Sequence, residues 1–145
     1  MKVSEIKVSY TTKRKKKPKI TNSNDAYEIA MAHWDQQIIE FQEEVKLILV
    51  NRNNEVLGIY SLSKGGILGA FIDLKIILAV ALKGNASGII LVHNHPSGNL
   101  KYSKADKGIT DKLKKACKLL DINLLDHLII SRDSHFSFSN NGLLT

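Results

Sequence analysis

The feature that most constrains this chain is a four-residue apolar run, Ile89-Ile-Leu-Val92, that ends in His93-Asn94-His95-Pro96. Such a run reads as a central strand. Side chains on a strand alternate between faces, so His93 and His95 point the same way at its C-terminal end. Pro96 stops the strand, and Ser97-Gly98-Asn99 supplies turn chemistry. Ser103 then opens a helix whose first turn carries Asp106. Two imidazoles and one carboxylate meeting at a strand end and a helix start form an N/N/O donor set. That set leaves a fourth tetrahedral position open, as catalytic zinc requires. A plainer reading competes with it. Ser103-x-x-Asp106 ahead of an apolar-periodic segment is also a capping box, and histidines near strand ends are commonly hydrogen-bonded structural residues. From spacing alone the two readings stand level.

Parity selects a further carboxylate. In the strand expected from Glu43 to Asn51, Glu43 shares a face with Val45, Leu47 and Leu49, whereas Glu44 travels with Lys46 and is expected to face solvent. Glu43 at the end of the apolar face can serve as a general base; its plainer reading is a charged strand end in water. Downstream, Asp126-His127 interrupts an apolar strand expected from Ile122 to Ser131.

The remaining elements follow from pattern and punctuation. Residues 3–10 alternate well enough for a strand. A helix is expected from about Asp25 to Glu40, capped by Ser23 or Asn24, with Tyr27, Ala30, Met31, Trp34 and Ile38 as its stripe. Asn51 to Asn54 form a hairpin turn, Val56 to Leu62 the return strand, Ser63 to Gly66 a turn, and Ile67 to Ile72 another strand. Asp73 caps an apolar helix, Leu74 to Leu82, closed by Lys83-Gly84. The helix after Ser103 runs to about Leu120, with Ile109, Leu113, Ala116 and Leu120 inward and its lysines on a solvated face. Phe136 to Ser139 reads as a short edge strand.

Length and charge narrow the class. The 145 residues fit one domain with a real core. The single cysteine, Cys117, excludes an intrachain disulfide and any Cys-rich zinc site. No apolar stretch is long enough to span a membrane and no signal-peptide core opens the chain, so a cytoplasmic protein is expected. The formal net charge of +7 lies wholly in residues 1–19, since the remainder balances 13 basic against 13 acidic residues. The run Lys13 to Lys17 can contact phosphates non-specifically; a solvated tail is the commoner explanation.

The spacing His93-x-His95, Ser103, Asp106 resembles the signature of the JAMM (MPN+/JAB) metalloproteases. The string His93-Asn94-His95-Pro96-Ser97-Gly98, with Leu125-Asp126-His127 downstream, resembles more narrowly the RadC family of JAB-domain proteins. The similarity runs from about Ser4 to Gly142. It implies an α/β, cytidine-deaminase-like JAB/MPN fold, a curved mixed β-sheet packed between helices, over residues 24–145, preceded by a basic extension at residues 1–23. It further implies one zinc ion per chain on His93, His95 and Asp106, with Glu43 as general base. Ser103 would be the donor to the substrate carbonyl oxygen, and Asp126 or His127 would support a ligand. The activity implied is zinc-dependent hydrolysis of a peptide or isopeptide bond in a protein or peptide substrate. RadC-like proteins also carry a DNA-repair label, so the alternative is a zinc protein associated with DNA and lacking peptidase activity. The adjacent letters of His93-Asn94-His95 are unrelated to HNH nucleases, whose residues are dispersed. Zinc deaminases need a Pro-Cys-x-x-Cys element that one cysteine cannot supply. Tyr102 stands where RadC-like sequences usually have Pro, and Leu74-Lys75 where they usually have Pro-Arg.

Overall fold

Apolar alternation in the middle of the chain builds a sheet covered on both faces. The structure is a computed structural model, and it describes residues 1–12, 16–65 and 72–144. Its elements in chain order are α1 (Ser23–Ala32), β1 (Glu44–Val50), β2 (Val56–Lys64), α2 (Leu74–Lys83), β3 (Gly88–Asn94), α3 (Lys104–Leu119), β4 (Asn123–Ile130) and β5 (His135–Ser137). The strands form one mixed sheet in the order β2-β1-β3-β4-β5. β3 and β4 are parallel, joined by the α3 crossover, and the other neighbours are antiparallel. The fold is α/β, a mixed sheet between helices, as the JAB/MPN resemblance implies.

Parity along β1 and β3 divides the core in two. Ile48, Val50, Ile90 and Val92 face α1, where Ala26 and Ala30, with Trp34 just beyond the helix, pack on them with Leu128 and Ile130 of β4. Val45, Leu47, Leu49, Ile89 and Leu91 face Ile77 and Ala81 of α2 and Leu113 and Cys117 of α3. All are essentially removed from water, which makes the sheet a rigid platform for whatever its ends carry. Packing also favours Gly84 at the end of α2: a Cβ there would lie 2.6 Å from Leu49 Cδ1, so that side chain would have to move, although the φ of −75° suits any residue. The left-handed residue of that turn is Asn85, with φ of 53°.

Several expected elements differ from those observed. Helix α1 begins two residues earlier, at Ser23, with Asn22 as its cap accepting from the Asp25 N–H, and it stops at Ala32 instead of Glu40. The stop has a local cause. Gln36 Nε2 donates to the Met31 and Trp34 carbonyls at 3.3 and 3.2 Å, and Asp35 Oδ1 accepts from the Gln37 N–H. These side chains satisfy the groups that another helical turn would have used. β2 runs on through Ser63 and Lys64, where a turn was expected, because both pair with β1. The strand expected from Ile67 to Ile72 lies outside the described residues except for Ile72, which is not in a strand. Residues 3–10 form no strand; Val3, Ile6 and Val8 are exposed. The chain first joins the sheet where Lys19 bridges Glu55.

The buried face of α3 is Thr110, Leu113 and Cys117, one position round from the stripe expected, and Leu120 is exposed. Burial pushes the Cys117 thiol up to about 11, which leaves it an inert packing group. Glu44, expected to face solvent, is buried at the α1 side of the sheet, with its carboxylate 3.4 Å from Lys64 Nζ. Among the described residues, no helix is long and apolar enough to cross a membrane.

Candidate metal centre

His93, the penultimate residue of β3, lies on the α3 side of the sheet and is 1% exposed. The backbone continues straight for one more residue, because the His95 N–H still donates to the Ile130 carbonyl of β4. His95 is thereby carried to the same face. The turn that follows needs Gly98, whose φ of 82° a side chain would resist. It folds the Asn99 carbonyl back to 2.6 Å from His95 Nδ1. Ser103 then caps α3: its Oγ accepts from the Asp106 N–H at 3.0 Å, and Asp106 Oδ2 accepts from the Ser103 N–H at 2.9 Å. Both halves of the capping box are present. The box also fixes the Asp106 carboxylate, so cap and candidate ligand are one arrangement.

His93, His95 and Asp106 form the one group of three or more such side chains, among the described residues, that could hold a metal ion. His93 Nε2 and His95 Nε2 are 3.1 Å apart, and they lie 3.4 Å from Asp106 Oδ1 and 3.6 Å from Asp106 Oδ2 respectively. Donors about 2.0–2.1 Å from a tetrahedral ion lie roughly 3.3–3.4 Å from one another; the two nitrogens and one carboxylate oxygen, all within 4.8 Å of one another, are near enough to be drawn onto one ion.

Hydrogen bonding decides which nitrogens offer lone pairs. A backbone carbonyl only accepts, so His95 Nδ1 carries the proton that meets the Asn99 carbonyl, which leaves Nε2 as the donor atom. Thr110 Oγ1 donates to the Asp106 carbonyl at 2.7 Å and, its one proton spent, must accept from His127 Nδ1 at 2.6 Å. His127 Nε2 then accepts from His93 Nδ1 at 2.8 Å. This relay leaves His93 Nε2 unprotonated and aimed at the cluster. Two imidazole lone pairs and a carboxylate in contact are mutually repulsive unless a cation lies among them. The hydrogen bond to Asp106 accordingly raises the His95 pKa above its ordinary value despite burial. Burial pushes the Asp106 carboxyl up, but a proton on either Nε2, in the place a cation would take, bonds His93 or His95 to the carboxylate, and these bonds prevail and hold it far below the usual carboxylate range. His127, fully enclosed, is driven well below the usual imidazole range by burial and by His93 beside it, and so stays neutral.

Glu43 immediately precedes β1 and is half-buried. Its carbonyl accepts from the Gly65 N–H at 2.8 Å, and its carboxylate is near enough to His95 to contribute to the upward pKa shift there. Val45 pairs with His93, which sets Glu43 on the α3 side of the sheet. Asp126 is not beside the cluster. It pairs with Ile90 after a register shift in the β3–β4 ladder and faces α1, where its carboxylate accepts from Ser137 Oγ and from the Ser139 and His127 N–H groups. Of the expected supporting pair, only His127 touches a candidate ligand. Tyr102 anchors the loop before Ser103, its ring 5.8 and 5.4 Å from those of Phe136 and Phe138, and Phe138 in turn stacks on His127 at 4.5 Å. Sequence reasoning missed Thr110; its place four residues after Asp106, on the same helix face, was the available signal.

A mixed α/β sheet with a His-His-Asp group at the end of its central strand defines a protein with a candidate mononuclear metal centre. The RadC-like JAB domain matches residues 20–143 of the chain, which belongs to that family. It is 43% identical over 127 residues to a UPF0758 protein of Flavobacterium johnsoniae, covering 86% of this chain and 53% of the relative. A UPF0758 protein of Porphyromonas gingivalis is 41% identical over 104 residues, 71% of this chain and 46% of the relative. One from Thermotoga maritima is 39% identical over 110 residues, 75% and 50%. The chain thus spans about half the length of the curated relatives it matches.

Proposed function

We propose that the chain is a zinc-dependent hydrolase of JAMM type that cleaves a peptide or isopeptide bond. The observation that carries the reading is the donor set itself: both Nδ1 atoms are committed to hydrogen bonds, and both Nε2 atoms and an Asp106 carboxylate oxygen lie within 4.8 Å of one another, close enough to share one ion. His93, His95 and Asp106 would hold the ion. A zinc ion so held supplies Lewis acidity and brings the pKa of a water it binds towards neutrality. Glu43 takes the proton from the attacking water and returns it to the departing amine. Ser103 donates its hydroxyl proton to the carbonyl oxygen as negative charge develops there. Capping does not compete with that role, because the cap uses the hydroxyl oxygen as an acceptor and leaves its proton to donate.

Elemental analysis after zinc loading is expected to give about one zinc per chain, and His95→Ala to abolish binding. A wild-type protein that stays metal-free would overturn the reading. Glu43→Gln is expected to keep the zinc and lose hydrolysis in a screen of peptide and isopeptide substrates; full activity in that variant would remove the assigned base.

A further inference from the structure

The residue between the two histidines points to the other side of the strand, and it is bonded to the segment that carries Glu43. Asn94 is wholly buried. Its Nδ2 donates to the Ile39 carbonyl at 2.7 Å and to the Gln42 carbonyl at 2.9 Å, and its Oδ1 accepts from the Glu44 N–H at 2.7 Å. The Gln42 carbonyl belongs to the peptide group before Glu43, and the Glu44 N–H to the peptide group after it. One amide side chain therefore grips both peptide planes that flank the Glu43 Cα, and those planes set φ and ψ and the direction of the Cβ. The second plane is held from its far side too, by the Gly65 N–H on the Glu43 carbonyl. Strand alternation makes this possible: His93 and His95 face the candidate metal on one side, while Asn94 faces the turn of residues 39–44 on the other.

We propose that Asn94 is a positioning residue that holds Glu43 over the metal site, so that three consecutive residues at the end of β3 and just beyond it place both the metal ligands and the base. The proposal rests on Glu43 acting as the base. Only an amide serves here, because the position needs two donors towards carbonyls and one acceptor towards an N–H; aspartate lacks the donors and leucine, of similar size, lacks both. Its action is through Glu43, and it does not itself touch the substrate.

Cobalt(II) alone is the probe. The full chain is loaded with cobalt(II), its visible spectrum is followed against pH, and far-ultraviolet circular dichroism checks the fold. Glu43→Gln is expected to move the midpoint of the spectral change by about one pH unit, the size of a lost neighbouring charge. Asn94→Ala is expected to move it in the same direction, with cobalt stoichiometry unchanged, and to move it no further in a Glu43→Gln background. Asn94→Ser, which keeps a small acceptor for the Glu44 N–H, serves in the same way if the alanine variant does not fold. An unchanged profile in the Asn94 variant, or an effect that persists without the Glu43 carboxylate, would overturn the proposal. An unchanged profile in Glu43→Gln would overturn the base assignment, and with it this proposal, while leaving the metal site intact.

Discussion

Thr110 has one proton, and the Asp106 carbonyl takes it. Everything that follows along the relay, from His127 Nδ1 to His93 Nδ1, is forced by that commitment. Removing the hydroxyl should free His127 to adopt either tautomer and His93 to turn its wrong nitrogen inward. Thr110→Val, nearly isosteric, is therefore expected to weaken zinc binding 10–100-fold, the usual effect of losing a partner of a ligand. Thr110→Ser should stay close to the parent, as measured by competition with a chromophoric chelator. Asp126 gives a second contrast. Burial raises its pKa even though three hydrogen bonds favour the anion. A carboxyl raised in the folded state stabilises the fold fully below its unfolded pKa, and that contribution is lost as pH rises through the folded value. Urea titrations at several pH values are expected to show this decline in the parent above about pH 4 and not in Asp126→Asn. The asparagine should bind zinc normally, which no supporting role at the metal would allow.

The start of α3 shows what local sequence can specify. Ser103 and Asp106 meet through four consecutive residues, so both the cap and the ligand position could be read before any tertiary contact was known. The inner stripe of that helix could not. Thr110 is buried against His127, from a strand 17 residues on; its place four residues after Asp106 marks the helix face, but no helical periodicity records the histidine it meets. The sequence left Asp126 and His127 as alternatives for a similar reason, since the register shift beside Ile90 decides which of the two adjacent residues faces the cluster. Helix α1 failed in the opposite sense, where polar side chains at Asp35 and Gln36 ended an apolar stripe early. At Ser103 itself, replacement by Ala is expected to cost about 1 kcal/mol of stability and by Gly only a few tenths. If the hydroxyl also donates to substrate, both variants should lose hydrolysis alike. Thermal melts and activity measured together separate the two roles, and a loss of activity that merely tracks stability would assign Ser103 to capping alone.

At the scale of the whole molecule, charge and fold are segregated. The entire excess of +7 sits in residues 1–19, ahead of a neutral remainder. Residues 1–12 have no regular structure, and of the apolar residues among them Val3, Ile6 and Val8 are largely in water. The sheet is first met at Pro18, whose carbonyl accepts from the Val56 N–H, and the candidate metal centre is built entirely from residues after Gln42. A chain shortened by residues 1–16 is therefore expected to keep its melting temperature within about 2 °C, because little apolar area is given up. It should also keep its zinc stoichiometry. Any DNA affinity of the intact chain should fall steeply with salt, as contacts from a lysine run to phosphates do, and should vanish in the shortened form. Fluorescence anisotropy with a labelled duplex at two salt concentrations measures both effects. DNA binding that survives the truncation would move the contact onto the folded domain and favour the DNA-associated reading over peptide hydrolysis. Loss of zinc on truncation would show that the basic segment reaches the metal centre.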